Sequence, residues 1–372
     1  MEQRCRVAVT LEQCWHDVPG GTARAALESI DALLRNPDAD RSIEMVGVSA
    51  RHGTVPDAAW MPSIPVEQLA LPRLALYESW HRLRRPRVES ATGPVDVIHA
   101  TGMAVPPASA PLVVTVHDLA FTKDASQFTK RGVRFFTRAI ELARRDATLV
   151  ICPSNATRAE CIDYGFDPSR LRLVPWGIEA TPVAPADVAA VRARFGITGR
   201  YVMWAGTIEP RKNLPVLLDA FDRLGRADVT LVLAGPQGWN EDIQKQLDRL
   251  GSRVLQAGFV ERRDLAPLYA GADVFCFPSR QEGFGLPVLE AMAQGTAVIT
   301  SRGTATEEVI GECGVLVDHR DAVSLGDALA SLLENESERN QLGEAGRVRA
   351  RDEFSWSSTA AALRNVYFEA AG

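Results

Sequence analysis

Several familiar marks of membrane, secreted, metal-binding and nucleic-acid-binding chains are missing from this sequence. No run approaches the roughly 18–20 uninterrupted apolar residues that a spanning helix needs. Met1–Cys5 leads straight into an apolar strand pattern, without the basic, apolar and small-residue sections of a signal peptide, so the expected location is cytoplasmic. Cysteine is sparse. Cys5, Cys14, Cys152, Cys161, Cys276 and Cys313 form no C-x-x-C pair and no cluster with histidine at zinc spacing. Four of them sit in or beside apolar runs, where a thiol behaves as a small hydrophobe, so buried free thiols are expected. An excess of positive charge is also lacking, since the net charge is −6. Residues 1–175 carry 21 Lys and Arg against 20 Asp and Glu, and the remainder carry 20 against 27. An acidic total of this kind argues against nonspecific nucleic-acid binding as the main task. Neither half holds the G-x-G-x-x-G fingerprint with a downstream acidic residue, which argues against a nicotinamide dehydrogenase.

What is present is the pattern of two α/β domains. At 372 residues the chain is too long for one ordinary core, and 46% hydrophobic with 24% charged residues is ordinary for a globular protein. Short β-branched runs alternate with longer amphipathic stretches, as in parallel sheets covered by helices. The first half reads as strands at Arg6–Thr10, Ile43–Val48, Val95–His99, Leu112–His117 and Thr148–Cys152, with helices at Thr22–Leu34, Thr129–Arg145 and Asn155–Tyr164. The second begins afresh at Tyr201–Ala205, and Leu214, Leu217, Leu218, Phe221 and Leu224 then share one helix face. Further strands are expected at Val229–Ala234, Arg253–Gln256, Ala272–Phe277, Ala297–Thr300 and Val315–Val317. Val174–Pro185, with three prolines and a glycine, reads as the connection between domains. Trp356–Glu369 is helical in pattern and follows the second sheet. Two doubly wound domains facing each other place a ligand in a cleft at the carboxyl ends of the strands.

Four sections carry chemistry. Pro278–Met292 follows the apolar strand Val274–Phe277 and contains Glu282, Gly283, Phe284, Gly285, Leu286, Pro287 and Glu290. It reads as strand, glycine loop and helix start, with Pro287 in the first turn, where a missing N–H costs nothing. The amides and dipole of that helix start attract an anion. Two carboxylates beside an anion site fit a ligand that also carries hydroxyls, as a sugar nucleotide does at its hexose and ribose. The second section, Trp204–Leu214, ends a strand in Gly206 and brings Arg211 and Lys212 just before a helix that Asn213 is placed to cap. Paired cations there suit a pyrophosphate leaving group, whose charge grows as the glycosidic bond breaks. The third, Val18–Arg24, sets Gly20 and Gly21 in a loop after the opening strand, open to close approach by a ligand. The fourth, Val113–Asp118, ends an apolar strand in His117-Asp118, and a polar role for His117 beside the cleft is the better reading.

Together these residues resemble the large retaining glycosyltransferase family 4, the "glycosyl transferases group 1", with its E-x7-E signature. The spacing of Glu282 and Glu290 matches that signature. Gly206-Thr207 with Arg211-Lys212-Asn213, Ala234-Gly235, Gly258-Phe259-Val260, Ala293–Val298 and Pro153–Thr157 fall in the family's order. The resemblance implies a GT-B fold of two Rossmann-like domains. It divides the chain into residues 1–178 on the acceptor side, 179–355 on the nucleotide-sugar side, and a C-terminal helix over 356–372 that crosses back to the first domain. It gives Glu290 to the donor ribose, Glu282 to the donor hexose, the amides of Gly283 through Leu286 to sugar and phosphate, and Arg211 and Lys212 to the pyrophosphate. The base would lie near Gly258, Phe259 and Val260, the donor phosphates near Gly20 and Gly21, and the hexose by His117. Asp118 and Asn155 fall on the acceptor side.

The implied activity is transfer of a hexose from a sugar nucleotide to a glycan or glycolipid in envelope or polysaccharide assembly, without a metal or other cofactor. The sections at His117–Leu119 and Pro153–Thr157 look most like bacterial mannosyl- or related hexosyltransferases, which favours GDP-mannose. UDP-glucose and UDP-N-acetylglucosamine stay open as donors. So do an epimerase or phosphorylase of the same fold and a non-catalytic partner subunit, although the latter should have lost part of the set Arg211, Lys212, Glu282 and Glu290. Both signature glutamates look committed to hydroxyls, leaving no carboxylate nucleophile for a double displacement, so same-face transfer is expected. The basic stretch Arg73–Arg87 has two readings, a solvated helix face or a peripheral contact with an anionic membrane. Nucleic acid is not an expected partner.

Overall fold

The structure is a computed structural model and describes residues 3–16, 19–239 and 241–372. Val18, the first residue of the expected glycine loop, lies outside the described residues, as do Met1 and Glu2 of the N-terminal reading. The chain divides into two units, residues 1–177 with 356–372 and residues 178–355.

The first unit is built from β1 (Gln3–Thr10), α1 (Gly20–Arg35), β2 (Arg41–Ser49), β3 (Val66–Gln68), α2 (Arg73–Arg82), α3 (Glu89–Thr92), β4 (Val97–Ala100), β5 (Leu112–Thr115), α4 (Ala120–Lys123), α5 (Lys130–Asp146), β6 (Leu149–Cys152), α6 (Asn155–Asp163) and β7 (Leu171–Leu173). Its strands form one parallel sheet in the order β3-β2-β1-β4-β5-β6-β7. Every residue of β4, β5 and β6 is buried, as expected of central parallel strands covered on both faces. The strand expected to run to His117 ends at Thr115. Val116 N–H still donates to Ile151 O at 2.9 Å, and the chain then turns out of the ladder.

The second unit comprises α7 (Pro185–Arg194), β8 (Arg200–Ala205), α8 (Leu214–Leu224), β9 (Val229–Ala234), α9 (Gln244–Leu250), β10 (Val254–Gly258), α10 (Arg262–Ala270), β11 (Val274–Phe277), α11 (Leu286–Ala293), β12 (Ala297–Ser301), α12 (Ala305–Ile310), β13 (Val315–Val317), α13 (Ala322–Glu334) and α14 (Glu336–Glu353). Its parallel sheet runs β10-β9-β8-β11-β12-β13. The apolar face read for α8 is the face it buries: Leu214, Leu217, Leu218 and Phe221 are at most 1% exposed. Pro185, read as part of the connection, is instead the first residue of α7, where its missing N–H is harmless.

The last helix, α15 (Trp356–Ala371), belongs to the first unit. It buries Trp356, Leu363, Val366 and Tyr367, and Tyr367 Oη lies 2.8 Å from Nδ1 of His99 on β4. Arg41 donates to Asn365 Oδ1 at 2.8 Å and stacks over the Phe368 ring, while Arg172 pairs with Glu369. The basic stretch in this unit is not one uniform face. Trp80 and His81 are buried, and Arg82 pairs with Glu78. Arg84 donates to Trp80 O, Val105 O, Pro106 O and Asp146 Oδ2 at 2.8–3.0 Å. Its guanidinium therefore tethers α2 to the loop after β4 and to the end of α5, whereas Arg82, Arg85 and Arg87 are exposed. Among the described residues no helix is long and apolar enough to cross a membrane.

Candidate functional site

In the second unit the strand order reverses between β8 and β11, the position at which doubly wound sheets bind ligands. The two most informative sections of the sequence are the loops leaving these two neighbouring strands. After β8 the chain passes Gly206 and enters a short 3₁₀ turn over Pro210–Lys212. Gly206 comes so close to Gly235, at the end of β9, that a Cβ on Gly235 would fall 1.8 Å from Gly206 O. After β11 comes Pro278–Gly285, then α11. Gly285 holds φ +107°, and a Cβ there would lie 2.5 Å from Thr306 Cγ2, so both conformation and space require glycine.

These loops assemble a buried charge cluster. Glu282, 8% exposed, accepts from Lys212 Nζ at 2.7 Å on Oε1 and from Arg211 Nη1 at 2.9 Å on Oε2. Arg211 also donates to Gln281 O at 3.1 Å and to Glu209 Oε1 at 2.8 Å, and Glu209 is buried too. Lys212 Nζ lies 4.9 Å above the Phe277 ring. Two cations and two carboxylates balance, which is how charges survive this degree of burial. Burial by itself would raise the Glu282 carboxyl. The Arg211 and Lys212 charges and the Lys212 hydrogen bond overcome it and hold the group down at about 2. Of the three ammonium protons of Lys212, the bond to Glu282 accounts for one.

Glu290 lies one turn into α11, buried, and accepts from Tyr269 Oη at 2.9 Å. The Phe284 ring packs edge-on against Phe354, 5.9 Å between centroids, so its side chain belongs to the core. The amides of Gly283 through Leu286 sit at the amino end of α11, where the helix dipole favours an anion. At the end of β10, Gly258 O accepts from Gly235 N–H at 2.7 Å; Val260 is buried and Phe259 is 61% exposed. Asn213 stands at the position before α8, but its side chain makes no capping bond. Its Nδ2 donates instead to Pro278 O at 3.0 Å and His319 O at 2.6 Å.

In the first unit the corresponding reversal lies between β1 and β4. Gly20 and Gly21 are not in a loop: they open α1, and a Cβ on either would meet nothing within 4 Å. His117 leaves β5 with Nε2 2.8 Å from Thr101 O, just past β4. A carbonyl only accepts, so Nε2 carries the proton and Nδ1 of the neutral ring is an acceptor. Burial lowers the His117 pKa, against the Thr101 bond and the Asp118 charge, which favours that neutral form. The ring also packs against Trp176, 5.9 Å between centroids. Asp118 Oδ1 accepts from Ala120 N–H at 3.0 Å and so shapes the turn into α4. Asn155 is exposed in the first turn of α6, which is capped by Ser154 rather than by Asn155, and Thr157 Oγ1 donates to His117 O at 3.3 Å. Glu209, Tyr269 and Arg280 were not singled out in the sequence. Glu209 lies two residues from Arg211 and Arg280 two residues from Glu282, the one signal either had; Tyr269 had none.

A profile for "Glycosyltransferase Family 4" matches residues 19–181, and one for "Glycosyl transferases group 1" matches residues 199–335. The O-antigen chain mannosyltransferase B of Escherichia coli is 30% identical over 281 residues, 73% of this chain and 74% of that protein. The chain belongs to glycosyltransferase family 4. An MMP alpha-(1->4)-mannosyltransferase of Mycolicibacterium hassiacum is 33% identical to this glycosyltransferase over 312 residues, 77% and 74% of the two lengths. Among solved structures, Anabaena HepE in complex with UDP-glucose matches with a TM-score of 0.78 over 98% of this chain and 100% of that one. WaaG, a glycosyltransferase involved in lipopolysaccharide biosynthesis, matches with 0.74 over 97% and 99%. At 20% and 19% identity these two speak to the fold alone, and the fold is GT-B.

Proposed function

We propose that this glycosyltransferase moves a hexose, mannose from GDP-mannose, onto a glycan or glycolipid acceptor in envelope or polysaccharide assembly. It retains the anomeric configuration and needs no metal. The observation that carries the reading is the Arg211–Lys212–Glu282 cluster beside the amino end of α11, at the strand reversal of the second sheet. Two mannosyltransferase relatives support the choice of sugar.

In this reading Glu290, oriented by Tyr269, holds the ribose, and Glu282 holds hexose hydroxyls. The α11 amides bind phosphate and hexose oxygens. Arg211 and Lys212 meet the pyrophosphate, whose charge grows as the bond to the hexose breaks, so their contribution is largest in the transition state. The base sits by Phe259. In the first unit Gly20 and Gly21 serve the donor phosphates, His117 offers Nδ1 to a hexose hydroxyl, and Asp118 and Asn155 belong to the acceptor side. The two signature carboxylates are already engaged, Glu282 by both cations and Glu290 by Tyr269. Transfer then proceeds on one face of the hexose, with the departing phosphate oxygen taking the acceptor proton.

The test is turnover of GDP-mannose, UDP-glucose and UDP-N-acetylglucosamine with and without chelator, with the product anomer read by NMR. Retention with GDP-mannose, unchanged by chelator, supports the reading. Turnover of a UDP-sugar alone moves the donor assignment, inversion removes the same-face mechanism, and loss with chelator removes the metal-free claim.

A further inference from the structure

We infer that Asn213 is a positioning residue, the pin that sets Arg211 and Lys212 against the donor. The inference rests on the reading that those two cations meet the pyrophosphate. Asn213 is fully buried with φ +57° and ψ 35°, one of two non-glycine residues with positive φ among those described. Asparagine is among the side chains that enter the left-handed region most readily, yet glycine would do so at lower cost. The side chain must therefore supply what glycine cannot.

It does so by joining three loops at the carboxyl edge of the second sheet. Nδ2 donates to Pro278 O in the loop after β11 and to His319 O in the loop after β13, at 3.0 and 2.6 Å. Oδ1 accepts from Arg280 Nε at 3.0 Å, and Arg280 N–H donates to Arg211 O at 2.9 Å. The ring of contacts closes on the turn that presents Arg211 and Lys212. Both donors and the acceptor of the Asn213 amide are thus used, all buried or partly buried, and none serves as a helix cap. Lys212 and Glu282 stand on two different loops, so their 2.7 Å contact depends on whatever fixes one loop to the other. Asn213 does that through Pro278 O and Arg280. A shift of about 1 Å in charged groups that act on the transition state costs on the order of a hundredfold in rate.

The experiment compares Asn213→Gly, which keeps the left-handed backbone and loses the side chain, with Asn213→Asp, which keeps its size and loses both donors. Each is combined with Lys212→Met. Circular dichroism establishes folding, and kcat and donor KM are measured separately. Both single variants are expected to lose about 100-fold in kcat with donor KM changed less than about threefold. Lys212→Met should then cost less than about fivefold on top of Asn213→Gly, because the ammonium is already misplaced. Asn213→Gly within twofold of the wild type, or a loss that simply multiplies with that of Lys212→Met, overturns the inference. Should Lys212→Met alone leave kcat unchanged, the proposed role of the cations fails first. A readout independent of turnover is the stability coupling between Lys212→Met and Glu282→Gln. It should shrink to less than half in the Asn213→Gly background, and an unchanged coupling also overturns the inference.

Discussion

Replacing Lys212 by methionine separates the structural task of the charge cluster from its chemical one. The ammonium lies 2.7 Å from Glu282 Oε1 in a site where Lys212 and Glu282 are 9% and 8% exposed. Breaking a buried pair by removing one partner costs about 3–5 kcal/mol, most of it the uncompensated charge left behind. Here Arg211 remains 2.9 Å from the other carboxylate oxygen, although it is shared with Glu209. The loss for Lys212→Met should therefore fall at or just below the lower end of that range, about 2–3 kcal/mol. Glu282→Gln strands the Lys212 ammonium and should cost a similar amount. The double variant removes both charges and leaves Arg211 balanced by Glu209, so it should lose at least about 1 kcal/mol less than the sum of the singles. Urea unfolding, following the transition of the second unit, measures this. Turnover should respond differently: kcat falls about 100- to 1000-fold in Lys212→Met and is not recovered in the double variant. Strictly additive stabilities, or singles that cost under about 0.5 kcal/mol, would refute the argument that the cluster is buried and mutually compensated.

The remaining expectations are more local. Burial pushes His99 down to about 3 and His81 down to about 4, from an ordinary value of 6.5, so both are neutral in the folded protein. The unfolded chain takes up protons first, so these residues cost stability as pH falls from about 6.5 toward those values. For Glu282 the loss runs from its ordinary 4.5 down to about 2. Urea midpoints measured from pH 7 to 4 should fall, and His99→Phe should flatten that slope; an unchanged slope would count against a buried neutral His99. Gly285→Ala meets both a φ of +107° and the Thr306 methyl at 2.5 Å. It should lower stability by about 1–3 kcal/mol and abolish donor binding in calorimetry. Wild-type Tm and affinity would contradict that. If the basic stretch meets an anionic membrane, binding to vesicles containing anionic lipid should be lost when Arg82, Arg85 and Arg87 become Glu. Arg84 is left intact because its guanidinium holds three carbonyls and Asp146. Equal binding by both proteins would leave the solvated-face reading.

The pattern of the sequence was most legible where one physical requirement dominated. Val229–Ala234 was read to the residue, because an inner parallel strand with nearly every residue buried is a nearly continuous apolar run between turn signals, and the short edge strand Val315–Val317 because all three of its residues are apolar. The edge strands β3 and β7 escaped because three residues that include Glu67 and Gln68, or Arg172, form no apolar run. Glu282 and Glu290 stood out by their spacing. What could not be read was the partnership of Glu282 with two cations some 70 positions earlier, since nothing in a spacing says that two loops meet. Tyr269 is the same kind of case, a core tyrosine in pattern whose hydroxyl reaches Glu290. Asn213 looked like a cap because asparagine before a helix usually is one. Its left-handed backbone turns the side chain to other loops, a tertiary effect with no local signal. Arg84 misled in the same way, since a run of arginines reads as surface until carbonyls are found around one of them.

The central claim, that the carboxyl edge of the second sheet holds a sugar-nucleotide donor, is tested most directly by calorimetric titration of GDP-mannose, GDP and UDP. The titrations use the wild type, Glu290→Ala and Lys212→Met, each shown to be folded. The expected result is saturable binding of one nucleotide family to the wild type, weakened at least about tenfold in Glu290→Ala, a loss of about 1.4 kcal/mol, and changed less than about threefold in Lys212→Met, whose contribution is largest in the transition state. Binding of equal strength in all three proteins, or no binding to the folded wild type, would contradict the account.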